Sequence, residues 1–87
     1  MEANERERVK ASMLKEEIAE WLVQNGKYED RESIKLIPKS LLQQAITSIE
    51  NITDNRSINN RIAYLKAHNQ IEQTGLGKQQ YRLVELF

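Results

Sequence analysis

Apolar residues recur at helical spacing in three stretches of the chain, and at every second position near its end. Val9, Met13, Leu14, Ile18, Trp21 and Leu22 follow one another at steps of four, one, four, three and one. That spacing predicts an amphipathic helix from Val9 to Gln24, with the interleaved Lys15, Glu16, Glu17 and Glu20 as its wet face. Asn25-Gly26 stops it, because both residues tolerate the left-handed conformation of a helix C-terminus. Ahead of it, residues 1–8 (MEANERER) are charged and nearly free of apolar side chains. They are expected to fray, or to extend the first helix as a polar segment, in front of a domain over 9–87.

Residues 27–35 have no clear period and read as a loop. Ile34, Leu36 and Ile37 make a stretch suited to one brief strand; Pro38 is expected to end any pairing and to open the next helix. Leu41, Leu42, Ala45, Ile46, Ile49 and Ile52 form one stripe, which predicts a second helix over roughly 38–50. Asn51-Ile52-Thr53-Asp54 is a polar break, with Thr53 or Asp54 placed to cap a third helix over about 54–69. Ile58, Ile62 and Leu65 are its inward positions, with Arg61 and Asn69 on the same side. After Asn69 the period changes to two. The runs 70–73 and 80–86 alternate around a loop holding Gly75 and Gly77, as an antiparallel hairpin does. The fold class is mainly α with a small β-hairpin.

Composition narrows the chemistry. The chain has 87 residues, one small domain, with no cysteine and a single histidine, His68. Disulfides, thiol catalysis and cysteine–zinc sites are thereby removed. No paired carboxylates, nucleophile–base set, phosphate loop or metal-ligand spacing is present, so neither an enzyme nor a metal or other cofactor is expected. No apolar run approaches the ~18 residues of a membrane span, and no signal-peptide core is seen, so a cytoplasmic location is expected. Thirteen basic and thirteen acidic residues cancel, but unevenly. Residues 1–30 carry five bases against eight acids, and residues 31–87 carry eight bases against five acids. Such an asymmetry hints at a polar partner surface.

The third helix carries the most informative chemistry. With Ile58 set at zero and about 100° per residue, Arg56, Asn60, Ala63 and Ala67 fall on the outer side, flanked by Ser57, Asn59 and Tyr64. This face holds no carboxylate beyond Asp54 at its start. A guanidinium can chelate guanine O6/N7, an asparagine amide can chelate adenine N6/N7, and alanines permit close approach to a major groove. An ordinary solvated face carries more Glu and Lys than this one.

Three helices followed by a hairpin, with Arg61-Ile62-Ala63-Tyr64-Leu65, Asn69-Gln70-Ile71-Glu72, Gly75-Leu76-Gly77-Lys78 and Tyr81-Arg82-Leu83 in that order, resembles the winged helix-turn-helix family of transcription regulators. The resemblance covers about residues 10–86. It departs from the family in a long first connection and in Asn51-Ile52-Thr53 where a small-residue turn with a central glycine is usual. The resemblance implies three helices plus a wing, with residues 54–69 as recognition helix and 71–84 as the wing. It implies duplex DNA as partner and a small transcriptional regulator, nucleoid-associated in that case. The expected DNA-binding residues are Lys39, Arg56, Ser57, Asn59, Asn60, Arg61, Tyr64, Lys78, Gln79 and Arg82. Lys39 opens the second helix, whose N-terminus commonly faces the DNA backbone in this architecture. Lys78, Gln79 and Arg82 lie where the wing meets phosphate. No small-molecule ligand is expected. Residues 33–84 carry seven bases against three acids, modest for a lone monomer, which favours a homodimer on a two-fold site. Val9 and Met13 lie off the main stripe of the first helix and offer it an apolar patch; Leu86 and Phe87 are the other candidates to cover it. The same fold with a neutral face also serves as a protein–protein adaptor without DNA binding, and that alternative stays open.

Overall fold

The computed structural model describes residues 2–74 and 79–85. Helix α1 spans Glu2–Gln24, strand β1 Ile37–Pro38, helix α2 Lys39–Glu50, helix α3 Asn55–Ala67, strand β2 Ile71–Thr74 and strand β3 Gln80–Leu83. The strands form one antiparallel sheet in the order β1-β3-β2. Mostly helical, with a small three-stranded sheet, the architecture contains the expected α elements and the expected hairpin pairing.

Local chemistry sets the ends. Gly26 takes φ 71° and Asn69 φ 58°, each one residue beyond a helix cap. The N–H groups of Gly26 and Lys27 donate to the carbonyls of Val23 and Leu22. Those of Asn69 and Gln70 donate to the carbonyls of Lys66 and Leu65 in the same pattern, so both helices close with a Schellman turn. The third helix therefore ends at Ala67, two residues before the expected Asn69, because Asn69 supplies the left-handed residue. At its start Asp54, not Thr53, is the cap.

The core is one cluster. Among the described residues, Ile18 and Leu22 of α1, Ile37 of β1, Leu42 and Ile46 of α2, Leu65 of α3 and Ile71 of β2 are the largest fully buried side chains. Burying each stabilises the fold by about 1.5–3 kcal/mol before entropy is counted. Tyr81 and Leu83 of β3 face the same cluster, while Gln80 and Arg82 face out, the alternation a half-buried strand requires. Trp21 is half-buried and packs against this cluster, as does Ile52, which sits beyond the end of α2.

Several expectations are corrected. Lys15 is not on the wet face of α1 but 5% exposed, in the stripe Ala11, Leu14, Lys15, Ile18, Ala19 and Leu22. Its stem packs inward while its Nζ donates to the Val84 carbonyl at 2.8 Å, 69 residues away. Pro38 does not end pairing. It lies in β1 opposite Gln80, with Ile37 opposite Tyr81, on an edge strand where a missing N–H costs no ladder bond. Of the three residues read as a brief strand, Ile37 alone belongs to β1; Ile34 is buried outside it and Leu36 is exposed. The loop over 27–35 contains a 3-10 turn at Arg31–Ser33, capped by Asp30 in a capping box with Ser33. Residues 2–8 extend α1 as a polar segment, one of the two expected outcomes, and are not frayed from it. Among the described residues no helix is long and apolar enough to cross a membrane.

Candidate nucleic-acid interface

Helix α3 is held at both ends and along one side. Asp54 Oδ2 accepts from the Ser57 backbone N–H at 2.9 Å. That bond from Ser57 also holds the Asp54 carboxyl below its ordinary pKa, since it favours the charged form. Ile58, Ile62 and Leu65 are buried, which fixes the rotation of the helix. Arg56, Asn60, Ala63 and Ala67 therefore point away from the core, and all four are exposed. No carboxylate of the described residues forms an ion pair with Arg56.

The flanks of this face are occupied differently. On one side the Arg61 Nε is 2.8 Å from Glu50 Oε1 on α2. Next to it the Tyr64 hydroxyl donates to the Glu7 carbonyl at 2.8 Å and lies 3.0 Å from Glu7 Oε2 on α1. Burial, and then the Glu7 carboxylate, push the Tyr64 phenol above its ordinary pKa. The His68 ring meets Tyr64 edge-on, with centroids 4.9 Å apart. On the other side Gln43 Nε2 of α2 reaches Asn59 Oδ1 at 3.4 Å, and Lys66 Nζ donates to Gln73 Oε1 of β2 at 2.9 Å. Ser57 is half-buried near the cap.

A second group forms where α2 begins. The Lys39 backbone N–H donates to the Gln79 carbonyl at 2.9 Å, which sets the first turn of α2 beside the start of β3. Gln79 and Gln80 are exposed there and Lys39 is half-buried. Arg82 faces out from β3 and is ion-paired with Glu72, its cross-strand neighbour on β2. Lys78, with Gly75 and Gly77, lies outside the described residues, as do Leu86 and Phe87.

The expected site thus divides in three. Arg56 and Asn60 form an open face with the two alanines. Asn59, Arg61, Tyr64 and Arg82 already hold partners within the chain. Lys39 and Gln79 sit together at the α2–β3 junction. The third helix carries no carboxylate of its own on this face, but Glu7 and Glu50 reach its flank from other elements. No spacing rule announces a Tyr64–Glu7 contact across 57 residues. The same holds for Arg31, which grips Glu16 of α1 with two nitrogens and lies 3.0 Å from Glu85 Oε1 beyond β3.

No family model, curated protein or solved structure matches the chain.

Proposed function

We propose that this protein is a winged helix-turn-helix that binds duplex DNA sequence-specifically and acts as a small transcriptional regulator. The element order, with β1 before α2 and the sheet arranged β1-β3-β2, is compatible with that layout. The observation that carries the reading is the outward face of α3. Arg56 and Asn60 lie one turn apart on it, exposed, with Ala63 and Ala67 leaving room for a groove wall. In this reading Arg56 and Asn60 read base edges from the major groove, while Lys39, Gln79 and Lys78 meet phosphates.

The ion pairs of Arg61 with Glu50 and of Arg82 with Glu72 favour a second reading, a protein–protein adaptor, because they offset positive charge on the α3 flank and on β3. Selection of bound duplexes from a random pool, followed by mobility-shift titration against salt, separates the two. DNA binding falls steeply as salt rises, since each neutralised phosphate releases counterions. Arg56→Ala and Asn60→Ala should each lower sequence discrimination by about 1–3 kcal/mol, and Lys78→Ala should weaken all sequences alike. Absence of a shift even at low salt, or variants that discriminate like the parent, would overturn the DNA reading.

A further inference from the structure

The exposed side of α1 carries a pattern that the α3 face does not explain. Val9 and Met13 are 57% and 60% exposed, two of the three large hydrophobics so placed among the described residues. Met13 lies opposite the buried stripe. With about 100° per residue, Arg6, Val9, Glu17 and Glu20 fall within about 40° of it, and Lys10 and Glu16 within about 60°. Between residues 6 and 20 the charges on this stripe are segregated. Arg6 and Lys10 precede Met13; Glu16, Glu17 and Glu20 follow it. The last turn of α1 holds no base, although the negative end of the helix dipole favours one there.

We propose that this stripe is a homodimer interface, in which α1 of two copies packs antiparallel about a two-fold axis through Met13. The occupant follows from the charges. Arg6 and Glu20 each lie seven residues, about 10.5 Å along the axis, from Met13. A two-fold at Met13 therefore sets Arg6 of one copy against Glu20 of the other, twice. Lys10 comes beside Glu17 of the second copy, and Val9 and Met13 meet at the centre. Parallel pairing in register would oppose Arg6 with Arg6 and Glu20 with Glu20, like charges that repel. Arg6 and Glu17 make no ion pair among the described residues. Lys10 makes only a loose one, 3.9 Å, to Glu7 on its own helix, and Glu20 accepts only from Gln24. One helix pair is a small interface, of the class that associates weakly. The pairing needs no nucleic acid and stands whether or not the α3 face binds DNA.

Sedimentation equilibrium from about 10 μM to about 1 mM, the range such small interfaces occupy, tests it on the full chain without DNA. The parent should dimerise in that range. Arg6→Glu and Glu20→Arg should each weaken dimerisation by about tenfold, because two attractive pairs become two repulsive ones. The double variant should recover to near the parent. Residues 6 and 20 stand about 21 Å apart within one helix, so recovery arises only between copies. Met13→Lys, which sets two ammonium groups at the axis, should leave monomer, with the far-ultraviolet circular dichroism of every variant unchanged. A monomeric parent, single variants that dimerise like the parent, or a double variant no better than the singles would each overturn the proposal.

Discussion

Lys15 offers a direct test of what a buried lysine does in this fold. Its ammonium lies 2.8 Å from the Val84 carbonyl and 3.8 Å from Glu16 Oε2, and its side chain is 6% exposed. Two effects oppose each other. A hydrogen bond from a charged donor contributes about 1.5–3 kcal/mol. Removing an ammonium from water costs several kcal/mol, so an apolar replacement of similar volume is often neutral. The stem is the remaining contribution: Lys15→Ala deletes three buried methylenes at about 0.8 kcal/mol each, with a cavity penalty on top. Lys15→Met keeps most of that volume and loses only the polar end. Lys15→Ala should therefore destabilise by about 2–4 kcal/mol and Lys15→Met by less than about 1.5 kcal/mol. Urea unfolding followed by the fluorescence of Trp21, the single tryptophan, measures both. At an m-value near 1 kcal/mol/M, the alanine variant should lose about 2 M or more in midpoint relative to the parent. If Lys15→Met falls as far as Lys15→Ala, the bond to Val84 is what matters and the packing argument fails.

Two other measurements address the helix ends. Asp54 has its carboxyl pKa held down in the folded state, so its capping contribution is complete above the unfolded value of about 3.9 and is lost as pH falls through the lower folded value. Asp54→Asn keeps a capping acceptor that does not titrate, so any advantage of the parent at pH 7 should narrow below about pH 4, read as urea midpoints at several pH values. Gly26 has open space where a Cβ would stand, but φ is 71°. Gly26→Ala should cost about 1–2 kcal/mol through backbone strain alone, measured by thermal unfolding, and an unchanged midpoint would contradict the Schellman assignment.

The second and third helices were legible because each carries its own period and its own stop. Ile58, Ile62 and Leu65 fix which side of α3 is buried, and so place Arg56 and Asn60 outside without tertiary information. The first helix misled at Lys15, because a lysine stem suits an apolar groove as well as solvent, and its partner Val84 lies at the far end of the chain. Strand β1 was expected near Ile37, but its bounds were illegible for a different reason. Two residues hold no period, and only pairing with β3 makes Ile37 and Pro38 a strand. The flank of the α3 face was illegible for a third reason: the carboxylates of Glu7 and Glu50 arrive from elements whose packing the linear chain does not encode locally.

The sheet places its last strand in the middle, with β1 on one edge and β2 on the other. A chain emerging from the ribosome can wind each helix as it appears, but β1 and β2 have no mate until residues 80–83 arrive. Ile37 and Ile71, both almost wholly enclosed at the end, lack their Tyr81 and Leu83 neighbours until that moment. Closure of the sheet therefore waits for residues 80–83, and a nascent chain stalled before Gln80 presents two bare strand edges to chaperones and proteases.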